Sequence, residues 1–158
     1  AGDRGLPGVA GHDNQWCMIL SLLPLLLQAA IPSIDGLPVG GLSPQTLPKK
    51  GCAAYLFSTG QTRTLAAVAT MEPASLRIAL DNAVVDLPRV EASGTQPLNI
   101  PSQLRYAAGE ISATLDLTVE QRPNLNAGAA VPRAALRVDR TGKDTIVMPL
   151  AGLIGCAA

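Results

Sequence analysis

Histidine is nearly missing from this chain, and that scarcity removes more chemistry than any other. The sole histidine in 158 residues is His12, which lies in a glycine-punctuated N-terminal stretch that reads poorly as part of a folded domain. The rest of the chain therefore lacks the commonest general base, the Ser-His and Cys-His nucleophile pairs and the commonest metal ligand. Cys-x-x-Cys, Gly-x-Gly-x-x-Gly, Walker-type and Gly-x-Ser-x-Gly patterns are missing too, so no cofactor and no metal site is expected. Charge is scarce as well: Asp, Glu, Lys and Arg make up 15% of residues and cancel to a formal net charge of zero, against ~25% charged in ordinary domains. Lys49-Lys50 is the only adjacent basic pair. Nucleic acid is not an expected partner, because nothing here neutralises a phosphate backbone. Aromatics are 3%, which leaves Leu, Ile, Val and Ala to build the core.

Proline and glycine, in contrast, are plentiful. Thirteen Pro and fifteen Gly interrupt the chain often enough to suit short strands better than long helices. The plainest strand runs from Glu110 to Glu120. There Ile111, Ala113, Leu115, Leu117 and Val119 alternate with Ser112, Thr114, Asp116 and Thr118, and a two-residue period buries one face and wets the other.

Taken in order, Gly2, Gly5, Gly8 and Gly11 fall at every third position, but four triplets with a single Pro do not sustain a collagen helix. Residues 1–17 are expected to be a non-native or upstream extension, with the native start at Met18. Residues 18–30 read as a signal peptide: an apolar core from Ile19 to Leu27, broken by Ser21 and Pro24, ends in Gln28-Ala29-Ala30. The run is too short for the ~20 residues of a spanning helix. Two features depart from the pattern, since no Lys or Arg follows Met18 before the core and Gln28 is large for its place. An uncleaved anchor and a buried hydrophobic segment are the alternatives. Residues 31–50 carry Pro32, Pro38, Pro44 and Pro48 and predict a linker, or an arm lying on the domain surface.

Residues 51–158 carry the domain. Strands are expected over Cys52–Phe57 and Thr62–Thr70, then over Leu76–Leu80 and Ala83–Leu87 about a tight turn at Asp81-Asn82. Pro88 is placed at a strand end or edge. Ala92–Ser102 reads as loop, Leu104–Tyr106 as a short strand, and Arg122–Val131 as a second loop. A last hairpin joins Ala134–Asp139 to Thr145–Leu150, and the tail Ala151–Ala158 suits one more strand. Seven to eight short strands at this spacing predict an all-β fold, a small antiparallel sandwich, immunoglobulin-like or related. The Cys-Trp-Cys spacing of true immunoglobulin domains is missing, because the only Trp is Trp16.

With Cys17 ahead of the expected start, Cys52 and Cys156 remain, and an even pair in an exported chain reads as a disulfide. Closing a loop of about 100 residues stabilises by about 4.7 kcal/mol in the chain-entropy treatment. Asp116 and Glu120 share the polar face of the clearest strand, but their backbones stand about 13–14 Å apart at ~3.4 Å per residue. Glycosidase carboxyls stand ~5–9.5 Å apart. They and Arg137 are therefore surface candidates without an assigned reaction. Asp81 with Asp86, and Asp139 with Asp144, lack the dense oxygen spacing of a Ca²⁺ loop. Arg63, Arg77, Arg105, Arg133 and Arg137 are expected to point outward, and Tyr55, Phe57 and Tyr106 inward.

In general look the chain resembles small secreted proteins of Gram-negative bacteria. The expectation is an exported, non-enzymatic structural or binding module of the bacterial cell envelope or periplasm. Its partner would be an envelope protein or a glycan, and it would meet the membrane only transiently through the signal segment. Two alternatives are a secreted hydrolase using carboxylates without His, and an assembly subunit exchanging strands through the Pro-rich arm.

Overall fold

The computed structural model describes Gly2 and residues 30–157. The expected extension and all of the signal segment but Ala30, with His12, Trp16 and Cys17, lie outside the described residues.

Nine strands are formed among the described residues: β1 (Val39–Gly40), β2 (Cys52–Ser58), β3 (Leu65–Met71), β4 (Ala74–Leu80), β5 (Ala83–Ser93), β6 (Gln103–Ala108), β7 (Ile111–Glu120), β8 (Gly128–Arg140) and β9 (Ile146–Cys156). From β2 to β9 each strand pairs antiparallel with the next in sequence, and β9 returns to β2 from Cys52↔Cys156 to Ser58↔Leu150. The sheet therefore closes on itself as an eight-stranded up-and-down barrel, and β1 adds to it through Val39↔Leu80 and Gly40↔Ala79. The all-β antiparallel expectation holds, but the sandwich is corrected to a barrel. Every strand from β2 to β9 has neighbours on both sides, which removes the two pairs of edges a sandwich would leave.

Local chemistry explains the turns and breaks. The β4–β5 hairpin turns on Asp81-Asn82, both at positive φ, the conformation a two-residue hairpin loop demands and short polar side chains tolerate. Pro88 sits inside β5 rather than at its end, yet Ser75↔Pro88 is the last β4–β5 pair, and the β5–β6 register slips just beyond it between Arg89 and Glu91. Pro132 likewise falls inside β8 where the register with β9 slips between Val131 and Ala134. The missing N–H is placed where a ladder is already interrupted. β8 starts earlier than expected, at Gly128, and the last hairpin strand and the tail merge into one strand, β9.

Side chains fill the interior, as the size of an eight-stranded ring dictates. Ala54, Leu56, Ala67 and Ala69 come from β2 and β3, and Leu104, Tyr106, Ala113, Leu115 and Leu117 from β6 and β7 four strands round the ring. Small residues on one side leave room for large ones on the other. The arm closes one mouth. Ile34 and Val39 are fully buried in the same core, Asp81 N–H donates to the Pro38 carbonyl at 2.9 Å, and the Asp35 carboxylate accepts from Thr62 N–H at 2.9 Å. The β5–β6 loop closes the other. It buries Ile100, and Gln96 donates to the Leu117 carbonyl and accepts from Val119 N–H, each at 2.9 Å. That side chain satisfies β7 backbone beyond the reach of β6, whose pairing stops at Gln103↔Asp116.

Candidate functional site

Cys52 and Cys156 face each other across the β2–β9 seam and are joined by a disulfide. The bond ties the first strand of the closed ring to its last. It points to an oxidising compartment. No helix among the described residues is long and apolar enough to cross a membrane.

The three surface candidates are not brought together. Asp116 points outward from β7 and accepts a hydrogen bond from Gln103 Nε2 at 2.7 Å. Glu120 ends the same strand, 3.8 Å from Arg122. Arg137, on β8, is held by Asp139 of its own strand at 2.8 and 3.0 Å. Asp86 and Asp81 are engaged in the same manner, the first by Arg77 at 2.7 and 2.8 Å and the second by Arg140 at 2.7 Å. The Arg77 guanidinium holds the Asp86 carboxyl below its ordinary range, and Arg137, with help from Thr145, does the same to Asp139. No group of three or more potential metal ligands forms among the described residues.

The interior offers little chemistry. Tyr106 is fully buried, with its hydroxyl unpartnered among the described residues, and burial pushes its ionisation above the ordinary phenol range. Arg140 closes the row Leu136, Val138, Arg140 at the arm-covered mouth. Everything else that turns inward is apolar or small.

Two of the depressions on the outer wall are the largest. The first, about 850 Å³, lies over β6–β9 and is lined by Gln103, Asp116, Thr118, Arg133 and Pro149 among others. Asp116 is the single carboxylate in that lining, and two are needed to cleave a glycosidic bond by acid–base work. The second, about 690 Å³, lies between the arm and the outer face of β2 and β9. Leu42, Pro44 and Leu47 form one side, and Tyr55, Phe57 and Leu153 the floor, with Arg63 at the rim. The Tyr55 hydroxyl fastens the arm here, donating to the Thr46 carbonyl at 2.8 Å. Tyr106 is the core residue that was expected, but Tyr55 and Phe57 turn outward. Leu47 is 62% exposed, Phe57 44%, Val147 61% and Leu153 52%, four of the seven large apolar side chains exposed among the described residues.

This groove contradicts the expected inward direction of Tyr55 and Phe57, because an unbroken apolar run does not show which of its faces meets the core. Cys52–Phe57 is such a run, and in a closed barrel one of its faces must point away from the core. The available signal was the outward half of β9: Val147, Pro149, Ala151, Leu153 and Gly155 contain no polar side chain.

The chain matches no family model, no curated protein and no solved structure.

Proposed function

We propose that this chain is an exported, non-enzymatic structural or binding module of a bacterial cell envelope or periplasm, and that it recognises its partner with the outer wall of its barrel. The observation that carries this reading is the Cys52–Cys156 disulfide closing the ring, a bond kept in oxidising compartments and reduced in the cytosol. The filled interior supports the second half. With Ile34 and Val39 at one mouth and Ile100 at the other, a ligand meets the wall and not a cavity. The carboxylates Asp81, Asp86 and Asp139 are each held by an arginine, which suits a stable surface better than acid–base work.

Expression of the full chain in a Gram-negative host, followed by osmotic shock, tests the reading. The product is expected in the shock fluid with its N-terminus at Ile31, and with Cys52 and Cys156 unreactive to a maleimide until a reductant is added. A cytosolic product with both thiols free sinks it.

A further inference from the structure

The outer wall of the barrel is most continuously apolar over β9 and β2, and cations without an ion-pair partner among the described residues stand along its margins. Across β9 and β2 the outward positions are Val147, Pro149, Ala151, Leu153 and Gly155, then Ala53, Tyr55 and Phe57. Of the seven large apolar side chains exposed among the described residues, Leu47, Phe57, Val147 and Leu153 belong to this wall or to the arm strapped across it, Val84 lines a neighbouring depression that shares Leu42 and Thr64 with the groove, and Val90 and Leu98 are elsewhere. Single exposed apolar residues are ordinary, but a contiguous set marks a surface that is covered in use.

The margins say by what. Along the arm side lie Arg63, at the rim of the groove, and Lys49 and Lys50, just past Leu47. On β8 lie Arg133 and Arg137, the second register-paired with Val147. Arg63, Lys49, Lys50 and Arg133 make no ion pair with any described residue. Of the carboxylates nearby, Asp139 on β8 is held by Arg137 and Asp86, farther round on β5, by Arg77, whereas Asp144 beside Val147 and Asp116 beside Arg133 make no ion pair with any described residue. No carboxylate lines the groove itself. An apolar strip between unpaired cations fits a surface with acyl chains below and negative headgroups around them. A second copy fits less well, because a two-fold pairing sets the same cationic patch on both sides of the contact.

We infer that the β2–β9 wall, with Leu47, Phe57, Val147 and Leu153 as its inserting residues, docks on an anionic lipid surface. This rests on the reading of the outer wall as the recognition surface and names its partner. The barrel does not span the bilayer in this arrangement. Its inward residues are apolar and β4–β8 carry Arg, Asp and Glu outside, the reverse of a spanning barrel.

The test places a reporter in the wall of the full chain. The variant Trp16→Phe/Phe57→Trp has a single indole, and brominated lipids quench it only on contact with acyl chains. With brominated phosphatidylglycerol vesicles the emission is expected to shift to the blue and be quenched. Adding Leu153→Asp should abolish quenching. Adding Arg63→Gln and Arg133→Gln together should weaken vesicle affinity roughly 30-fold, at the strength expected of two basic residues near an anionic surface. An unchanged urea midpoint and an intact disulfide establish that each variant folds. Three results overturn the inference: flotation with vesicles while the indole stays unquenched, equal quenching by brominated phosphatidylcholine, or a blue shift without lipid that grows with protein concentration. The last identifies a second copy as the occupant. Any of these in a chain still exported and disulfide-bonded leaves the broader functional reading standing.

Discussion

The outward row of β7 reads Ser112, Thr114, Asp116, Thr118 and Glu120, whereas that of β9 reads Val147, Pro149, Ala151, Leu153 and Gly155. Turned inward, the two strands are alike, with Ala113, Leu115 and Leu117 on one and Met148, Leu150 and Ile154 on the other. One barrel thus carries a polar wall over β4–β8, laced by Arg77–Asp86, Arg105–Glu91 and Arg137–Asp139, and an apolar wall over β9 and β2. The inner rows build the ring and are interchangeable in kind. The outer rows contribute little to the ring, so they are free to differ, and their difference is where use is written. The seam closed by Cys52 and Cys156 lies within the apolar wall, so the same two strands complete the barrel and present its most continuous exposed apolar row.

The largest effect should come from that seam. Replacing both Cys52 and Cys156 by Ser removes a constraint of 104 residues and should lower stability by about 4–5 kcal/mol in urea titrations. A loss below ~1 kcal/mol would mean that strand pairing alone holds the ring. Next, Leu115→Ala on the polar wall and Leu150→Ala on the apolar wall should each cost roughly 2–5 kcal/mol, because both truncate the common core. A large gap between the two would break the claim that the walls are alike inside. Gln96→Leu leaves the Leu117 carbonyl and Val119 N–H without their partner and should cost about 1–3 kcal/mol, read from the same titrations.

Acid should weaken the polar wall selectively. Asp86 ionises below its ordinary range when folded, chiefly through its hydrogen bond to Arg77. Its contribution is therefore present above the ordinary carboxylate pKa of ~4 and is lost as pH falls through the lower folded value. The stability difference between the native chain and Asp86→Asn should be small and favour the native chain at pH 7, and vanish near pH 2. The opposite trend would show that the pair does not form in solution. Smallest of all, Thr114→Ala and Leu153→Ser should each stay within about 0.5 kcal/mol of the native chain. A costly Leu153→Ser would place that side chain in the core and remove the apolar wall from the comparison.

Much of the strand content was legible. β7 follows the alternation of Ile111 to Val119 residue for residue, and Asp81-Asn82 signals its hairpin because few other dipeptides accept two positive φ values in succession. Pro88 and Pro132 were harder. Each reads as a terminator, yet each is tolerated at a slip in register, which depends on the neighbouring strand and not on the local residues. The wall at Phe57 and Leu153 escaped for a related reason. Hydropathy shows that both faces of β2 and β9 are apolar, but which of those faces meets the core is decided by the partners.

By itself the sequence determined the all-β class, the inward half of strands that alternate as β7 does, and the pairing of its last two cysteines. Each of these rests on short-range periodicity or on simple counting. Tertiary structure alone decided between sandwich and barrel, because both satisfy the same two-residue alternation. The choice turns on whether β9 finds β2 across the sequence separation of 104 from Cys52 to Cys156. It also decided that the Pro-rich arm buries Ile34 and Val39 as part of the core. Closure is a property of the whole ring, and no window of residues contains it.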